Sequence, residues 1–361
     1  MKPFRVGIIG CGGIANGKHM PALRNVPEVQ FCAFCDILKE RAEKANQEYG
    51  NGKAKVYADY RELIKLDLDA VYVCTPNSSH CEITVAALDA GKNVMCEKPM
   101  AMNYDQAKQM IAARDRSGKL LTIGYQNRYR PDSLYLKKEC EKDALGEVYL
   151  AKAHAVRRRA VPTWGVFLDE EKQGGGPLID IGTHALDLAL FMMNNYEPLY
   201  AVGSTYHKLN NDTQTGNAWG DWDPEKFTVE DSAFGFVVMR NGATVQVDAS
   251  WALNITDVRE ASVTLCGTKA GATMRGEKNL ELNGVKNGAQ YTETPAFTAG
   301  GVAFYEGASQ NAPDLEARTF IDAVHGNGKL YVLPEQAAVV TRILEGIYES
   351  AKTKKPYYFT E

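Results

Sequence analysis

The sequence predicts a doubly wound α/β domain followed by an α+β domain with a large, mostly antiparallel sheet. Two observations support this fold class. In the first third of the 361 residues, short apolar runs alternate with helical periodicity, as they do in parallel sheets covered by helices. In the second half, strand patterns predominate, and Asn241-Gly242 between two of them indicates a hairpin. We expect domains over residues 1–125 and 126–361, with the last helix, about 335–351, near their junction.

Composition excludes several classes of protein. The formal net charge is −4 with a pI near 6.0, and no basic stripe indicates a nucleic acid or a membrane surface as partner. No apolar run approaches the ~18 residues that a membrane-spanning helix needs. The eight cysteines are dispersed, and several lie in apolar, strand-like runs, which is typical of free thiols in a reducing cytoplasm. Cys32 and Cys35 have metal-ligand spacing, but no second pair completes a zinc site, so no metal is expected.

A glycine motif near the start of the chain predicts a dinucleotide site. The apolar run Phe4–Ile9 is typical of a buried parallel strand and continues into the pattern G-x-G-x-x-A, formed by Gly10, Cys11, Gly12, Gly13, Ile14 and Ala15. The first glycine permits a tight turn, the second allows close approach of a pyrophosphate, and the small third residue lets the next helix pack on the strand. The helix N-terminus then faces the anion. The first domain is therefore predicted to be an α/β Rossmann dinucleotide-binding domain.

Asp36, at the end of the second predicted strand, indicates which dinucleotide binds. It follows Ala15 by 21 residues, close to the separation typical of the carboxylate that binds the adenosine ribose hydroxyls. A carboxylate there repels a 2′-phosphate, which favours NAD over NADP, although the nearby Lys39 and Arg41 leave NADP as an alternative. Asp36 could instead cap the helix predicted at 39–49.

Polar residues also follow the fourth predicted strand, at the edge of the sheet where ligands bind. They are Thr75, Pro76, Asn77 and His80. Ligands of open α/β sheets lie at the carboxyl ends of the strands, so these residues are predicted cofactor contacts. His80 could equally pack on the turn that starts its own helix.

The next strand ends in Glu97-Lys98-Pro99. Pro99 restricts Lys98 to an extended backbone, which directs the ammonium group into the cofactor crevice. Beside a nicotinamide cation, a lysine can lose its proton and serve as a base.

The stretch 174–188 combines helix breakers with two titratable side chains. Three glycines and Pro177 precede a helical pattern, and Asp180 and His184 stand four residues apart on one side of it. A carboxylate beside an imidazole orients and tunes a general acid or base. The alternative is that Asp180 caps the helix and that His184 is an ordinary packed histidine.

Arg157 and Trp164 are predicted substrate contacts. An arginine can bind hydroxyls or a carboxylate, and a sugar ring stacks well on an indole. Trp164 could instead anchor its loop on the core.

These motifs resemble the glucose–fructose oxidoreductase, inositol dehydrogenase and rhizopine-catabolism family, abbreviated Gfo/Idh/MocA. The matching segments, in the family's order, are Gly10-x-Gly12-x-x-Ala15, Thr75-Pro76-Asn77 with His80, Glu97-Lys98-Pro99, Gly124-Tyr125-x-x-Arg128 with Pro131, and Asp180 with His184. The resemblance implies that Lys98 lies at the nicotinamide and the substrate hydroxyl, and that Asp180 and His184 face it from the second domain. It also implies that Glu97 contacts the nicotinamide ribose or holds Lys98, that Gln126 contacts the cofactor, and that Arg128 contacts the substrate.

The residues and the resemblance together predict an NAD-dependent oxidoreductase that transfers hydride between nicotinamide and a secondary alcohol of a sugar, an inositol or a glycoside. Lys98, Asp180 and His184 would be catalytic, either His184 or Lys98 would accept the hydroxyl proton, and the glycine run would let the backbone approach the substrate. Two alternatives stay open: a redox-neutral NAD cycle that hydrolyses or epimerises a glycoside, and a non-catalytic NAD-binding sensor. We further expect a cytoplasmic homodimer or homotetramer assembled through the C-terminal sheet.

Overall fold

The computed structural model describes residues 3–212, 216–276, 279–297 and 311–360. The chain divides into two compact units, Met1–Gln126 with Gln310–Ala338, and Asn127–Ser309 with Val339–Glu361. The first unit therefore includes a C-terminal segment that the division predicted from the sequence assigns to the second domain. None of the helices in the described ranges is both long and apolar enough to span a membrane.

The first unit contains a parallel six-stranded sheet, which confirms the predicted doubly wound domain. Its strands are β1 (Phe4–Ile9), β2 (Val29–Cys35), β3 (Lys55–Tyr57), β4 (Ala70–Val73), β5 (Asn93–Cys96) and β6 (Leu121–Ile123). They lie in the order β3-β2-β1-β4-β5-β6, and every neighbouring pair is parallel. The order reverses between β1 and β4, and open α/β sheets bind ligands beyond the carboxyl ends of the strands at such a point.

Most helices of the described ranges occur where helical periodicity predicts them. They are α1 (Met20–Arg24), α2 (Lys39–Tyr49), α3 (Tyr60–Leu63), α4 (His80–Asp89), α5 (Tyr104–Ser117), α6 (Pro131–Glu141), α7 (Glu170–Gln173), α8 (Thr183–Met193), α9 (Ala312–Val324) and α10 (Pro334–Thr353). Two caps set the bounds of α5. The Asn103 side chain accepts a hydrogen bond from the Gln106 N–H, and Gly118 ends the helix in the left-handed region at a φ of +65°.

The core of the first unit joins β1 to the distant helix α9. Ala317, Phe320 and Ile321 of α9 are buried with Val6 and Ile8 of β1 in one apolar cluster. The spacing of the three α9 residues places their side chains on one face of the helix. The local sequence of α9 does not indicate which sheet this face covers. Its position along the chain places it in the predicted second domain, whereas its contacts place it in the first unit.

The described residues of the second unit form a nine-stranded sheet. Its strands are β7 (Val148–Val156), β8 (Pro198–Tyr206), β9 (Ser232–Met239), β10 (Thr244–Ser250), β11 (Arg259–Gly267), β12 (Ala270–Met274), β13 (Leu280–Lys286), β14 (Ala289–Glu293) and β15 (Tyr357–Tyr358). The order is β14-β13-β12-β11-β7-β10-β9-β8-β15, in which only β7 and β10 pair in parallel. The predicted mostly antiparallel sheet is confirmed, although β13, β14 and β15 were not predicted.

Helix α8 packs against β7 and β11 of this sheet. Its residues from Thr183 to Met192 are all buried, including the polar Thr183, His184 and Asp187, so α8 is enclosed on every side. The predicted helix after Asp180 is thus a buried, internal helix of the second unit.

Candidate active site

The glycine motif forms a tight turn between β1 and the helix that follows. Gly10 has a φ of +89°, and a Cβ there would lie 2.5 Å from the Cys74 carbonyl oxygen. A Cβ at Gly12 or Gly13 would meet no atom within 4 Å. The turn is therefore closed on the sheet side and open on the other, which is the shape that lets a pyrophosphate approach the backbone.

Asp36 is bound to this turn. Its Oδ2 accepts a hydrogen bond from the Cys11 N–H at 2.8 Å, and its Oδ1 accepts one from the Leu38 N–H at 2.9 Å. Leu38 precedes the first residue of α2 and has no side-chain cap. The Asp36 carboxylate thus ties the end of β2 to the glycine turn and to the residue that precedes α2, and its predicted contact with ribose stays a prediction.

His80 joins the end of β4 to the end of β5. Its Nδ1 lies 2.8 Å from the Pro99 carbonyl oxygen, and its Nε2 lies 2.8 Å from the Thr75 carbonyl oxygen. Burial lowers the pKa of His80, although both carbonyl contacts act to raise it. With both ring nitrogens occupied by main-chain oxygens, the geometry agrees with the packed alternative for His80 rather than with a cofactor contact.

Glu97 holds the backbone of Lys98. Its Oε2 accepts a hydrogen bond from the Lys98 N–H at 3.0 Å, and its Oε1 lies 2.7 Å from both Lys18 Nζ and His19 Nε2. Burial alone would raise the pKa of Glu97, but Lys18 and His19 hold it well below its usual range. The strand end that carries Lys98 is therefore fixed by an ionised, buried carboxylate.

A second carboxylate completes this group. Glu316 of α9 lies 2.9 Å from Lys18 Nζ, and we refer to Lys18, His19, Glu97 and Glu316 as the Lys18 cluster. Burial raises the pKa of Glu316, and the negative charge of Glu97 adds to this effect. Lys18 also donates to Gln126 Oε1 at 3.2 Å, so the residue predicted to contact the cofactor lies beside the cluster.

Asp180 lies in a π-helical turn, Leu178–Gly182, that continues into α8. Its Oδ2 accepts a hydrogen bond from the Trp251 indole N–H at 3.0 Å. No side chain caps either the turn or α8, so the structure does not support the capping alternative for Asp180. His184, in the first turn of α8, is buried. Departures from regular helix geometry of this kind are frequent at functional sites.

The glycine run before Asp180 packs against a buried glutamate. Glu230 accepts hydrogen bonds from the Gly176 N–H at 2.8 Å, the Leu178 N–H at 3.2 Å and the Tyr348 hydroxyl at 2.8 Å. We call this group the Glu230 site. Burial raises the pKa of Glu230 to about 7 even though every one of these donors lowers it.

The same contacts explain why the run consists of glycines. A Cβ at Gly175 would lie 2.2 Å from the Tyr348 hydroxyl oxygen, and a Cβ at Gly176 would lie 2.2 Å from the Glu230 carbonyl oxygen. The close approach that the structure requires is therefore to Tyr348 and to the backbone of Glu230. Approach of this run to a substrate stays a prediction.

Three predicted substrate residues differ in their surroundings. Arg128 is fully buried and makes a two-pronged ion pair with Asp187, with nitrogen–oxygen distances of 2.9 and 2.6 Å. This ion pair gives Arg128 a structural function. It does not support the predicted contact of Arg128 with the substrate. Arg157 donates to Glu260 at 2.7 Å and lies close enough to Asp180 for their charges to interact. Trp164 is about half exposed and does not anchor its loop in the core.

Known proteins with similar sequences and folds show where this chain belongs. The profile described as "Oxidoreductase family, NAD-binding Rossmann fold" matches residues 4–125, and the GFO/IDH/MocA C-terminal domain matches residues 133–273. The chain is 35% identical over 352 residues to the D-glucoside 3-dehydrogenase of Escherichia coli, and the matched residues cover 97% of this chain and 96% of that protein. It is 30% identical over 203 residues to the myo-inositol 2-dehydrogenase of Thermotoga maritima, covering 56% and 58% of the two. The solved structure of a levoglucosan dehydrogenase with NADH and levoglucosan shares its fold, with a TM-score of 0.84 at 20% identity over the whole of both chains.

The chain belongs to the GFO/IDH/MocA oxidoreductase family. The resemblance drawn from the motifs is therefore confirmed, as is NAD as the cofactor of its first domain. In this oxidoreductase, the glycine motif, Thr75 to His80 and Glu97-Lys98 follow β1, β4 and β5, which are neighbours in the sheet. The predicted cofactor residues of the first unit thus converge on one edge.

Sequence reasoning missed the residues that hold this oxidoreductase's motifs in place. They are Lys18, His19, Glu316, Glu230, Trp251 and Tyr348. Lys18 and His19 carried a signal, because they occupy the buried face of the helical repeat that also includes Ala15 and Ala22. The other four carried none, since each acts on a segment that is remote in the sequence.

Proposed function

We propose that this oxidoreductase oxidises a secondary hydroxyl of a glycoside, a sugar or an inositol, and that a glycoside is its preferred substrate. The observation that carries the proposal is the orientation of Asp180. Its carboxylate does not cap α8 but accepts a hydrogen bond from the Trp251 indole, one helical turn before His184. An oriented carboxylate beside a histidine is the arrangement that general acid–base catalysis requires. The similarity to a D-glucoside 3-dehydrogenase along nearly the whole chain supports the choice of substrate class.

The cofactor would be held by the glycine turn and by Asp36. The open space beside Gly12 and Gly13 fits a pyrophosphate, and the Asp36 carboxylate, already at the Cys11 N–H, favours ribose hydroxyls over a 2′-phosphate. NAD is therefore preferred to NADP. When bound, NAD⁺ supplies the acceptor for the hydride that leaves the carbinol carbon.

The protein's own residues would move the proton. We propose that Lys98 and the Asp180–His184 pair act on the same hydroxyl. His184 or Lys98 takes the hydroxyl proton as the C–H bond breaks and the C–O bond becomes a carbonyl. Asp180 orients the imidazole and stabilises its protonated form, and the Lys98 ammonium, when protonated, stabilises the developing negative charge on oxygen.

Substitution of the two candidate bases tests this function. Lys98→Ala and His184→Ala should each lower the rate of NADH formation by about 10²- to 10⁴-fold, the usual contribution of a positioned acid or base. The substrates would be a panel of glucosides, aldoses, inositols and polyols, each with NAD⁺ and NADP⁺. Lys138→Ala and His207→Ala, at exposed positions of the second unit, should leave the rate unchanged. Near-normal rates in both active-site variants would remove this mechanism.

The same assay separates the two alternatives. A redox-neutral cycle would give product without net NADH, because the cofactor would be reduced and reoxidised within each turnover. A non-catalytic sensor would bind NAD but form neither NADH nor product with any substrate of the panel.

We also propose a cytoplasmic homo-oligomer assembled through the C-terminal sheet. Val202 and Tyr206 of β8 and Phe236 of β9 lie on one face of this sheet, because Val202 pairs with Phe236 in the register. All three are exposed large apolar side chains, and apolar side chains exposed on one face of a sheet are typical of an interface. The eight free cysteines agree with a reducing compartment.

A further inference from the structure

Two tryptophans are exposed side by side in the second unit. The ring centroids of Trp164 and Trp219 are 4.9 Å apart at an interplanar angle of 79°. Trp164 is 52% exposed and Trp219 is 44% exposed. Scattered single apolar side chains on a surface need no explanation, whereas contiguous exposed apolar surface is typical of a binding site.

Hydrogen bonds hold the two tryptophan segments together. The Thr163 hydroxyl donates to the Trp219 carbonyl oxygen at 2.7 Å, and the Val161 N–H donates to Asn217 Oδ1 at 2.8 Å. Asn217 in turn donates to the Val161 carbonyl oxygen at 3.0 Å. These three hydrogen bonds hold together the chain segments that carry the two indoles. The pair therefore loses little conformational freedom when a ligand binds.

The pair is connected to Asp180 by two routes. Phe167 contacts Trp164 at a centroid distance of 5.9 Å and Trp251 at 6.5 Å, and Trp251 donates to Asp180. A second route runs through Arg157, whose guanidinium carbon lies 5.2 Å from the Trp219 ring and whose charge interacts with that of Asp180. Only one side chain therefore separates Trp219 from Asp180 along this second route.

We propose that Trp164 and Trp219 bind a second ring that the substrate carries on its glycosidic oxygen, so that the preferred substrate is a glycoside with a sugar or aryl aglycone. An indole face stacks on the C–H face of a pyranose or on an aryl ring, and the perpendicular pair offers one face and one edge to such a ring. The inference rests on the proposed function, because the sugar that is oxidised must lie at Asp180 for the aglycone to reach the pair.

Substrates that differ only in the aglycone test the proposal. The values of kcat/KM for both anomers of methyl glucoside, which has no second ring, are compared with those for phenyl glucoside and for the disaccharides cellobiose and maltose. Trp164→Ala and Trp219→Ala should lower kcat/KM for the two-ring substrates by about 3- to 10-fold, the effect of one lost aromatic contact. Methyl glucoside should change by less than about 2-fold, and Trp219→Phe should retain most of the activity on the two-ring substrates.

Tyr149→Ala is the matched control, because Tyr149 is also an aromatic residue of this unit and is also 52% exposed. This variant should leave kcat/KM unchanged for every substrate. A lower kcat/KM for the disaccharides but not for phenyl glucoside would assign the site to a sugar ring. The reverse result would assign it to an aryl ring. Equal losses for all substrates, or no loss for any, would overturn the proposal while the dehydrogenase function stands.

A binding measurement separates this inference from the proposed function. If no substrate reduces NAD⁺, the function has failed, and calorimetric titration of the NAD-loaded protein with phenyl glucoside and methyl glucoside decides the inference. Tighter binding of phenyl glucoside by the wild type that is lost in Trp219→Ala supports the aromatic site. Equal affinities of the wild type for the two ligands would contradict it.

Discussion

Each unit contains one buried glutamate that supports a segment with candidate catalytic residues, and the two units stabilise that carboxylate in different ways. Glu97 meets two side chains that can carry positive charge, Lys18 and His19, and its pKa lies well below its usual range. Among the described residues, Glu230 meets only neutral donors: two backbone N–H groups and the Tyr348 hydroxyl. Burial then dominates and raises the pKa of Glu230 to about 7.

The difference shows what neutral dipoles and full charges can each do for a buried carboxylate. Hydrogen bonds to a carboxylate favour its ionised form, but a nearby cation favours it more strongly in a medium of low polarity. Glu97, which holds the Lys98 backbone, is therefore ionised throughout the physiological pH range. Glu230, which binds the glycine run, changes charge within that range.

Removal of the cation from the Lys18 cluster should have the largest effect. Lys18→Met leaves Glu97 and Glu316 buried without their shared lysine, and breaking a buried ion pair in this way costs about 3–5 kcal/mol. Urea unfolding at pH 7 measures the loss in free energy of unfolding. Adding Glu316→Gln should recover part of it, because one of the two uncompensated carboxylates is then neutral.

Lys44→Met is the control for this variant, since Lys44 is an exposed residue of α2 and its substitution should change the free energy of unfolding by less than ~0.5 kcal/mol. A loss below ~1 kcal/mol in Lys18→Met would show that the cluster does not depend on the charge of its lysine.

The Glu230 site should make stability depend on pH in the opposite direction from a salt-bridged carboxylate. The pKa of Glu230 is about 7 in the folded chain, against 4.5 for an ordinary glutamate. As pH rises, the unfolded chain loses this proton first, so the stabilisation is complete below about pH 4.5 and is lost by about pH 8. The size of the loss is roughly 3 kcal/mol, from 1.36 kcal/mol for each unit of pKa.

Glu230→Gln removes this titration and tests it. The difference in free energy of unfolding between the wild type and the variant should fall by roughly 3 kcal/mol from about pH 5 to about pH 8. Glu171→Gln, at an exposed position of α7, should give a difference that does not change with pH. A constant difference for Glu230→Gln as well would mean that Glu230 is ionised throughout.

The sequence predicted those parts of the fold and the site that depend on neighbouring residues. The bounds of α2 follow from local periodicity, and those of α5 from periodicity and its two caps. The glycine motif and Glu97-Lys98 are recognisable because each function needs adjacent residues. β14 was missed because it is mostly exposed and polar, so it lacks the alternation that identifies a half-buried strand. In β13 the alternation of apolar and polar residues covers only Leu280 to Asn283, which is too short to identify a strand.

Residues whose partners are remote in the sequence could not be predicted in the same way. Arg128 matched a family motif, and only the folded chain shows that Asp187 occupies its guanidinium. Glu316 and Tyr348 lie on C-terminal helices with ordinary amphipathic patterns, which indicate a buried face but not the carboxylate or lysine that this face meets. The supports of the motifs are thus set by tertiary structure, whereas the motifs themselves are local.

The smallest expected effect is that of the Tyr348 hydroxyl in the Glu230 site. Tyr348→Phe removes the hydroxyl that donates to Glu230 Oε1 at 2.8 Å and leaves the two backbone donors. A hydrogen bond to an ionised group stabilises a protein by about 1.5 kcal/mol or more, and one to a neutral group by about 1 kcal/mol or less. Because Glu230 is largely ionised only above its pKa of about 7, the cost of Tyr348→Phe should be about 1.5 kcal/mol at pH 8 and smaller at pH 5. Urea unfolding at the two pH values measures both costs, with Tyr358→Phe, whose side chain is exposed, as the control. If the cost is the same at both pH values, the hydroxyl contributes only packing beside Gly175, and the charge of Glu230 does not control the site.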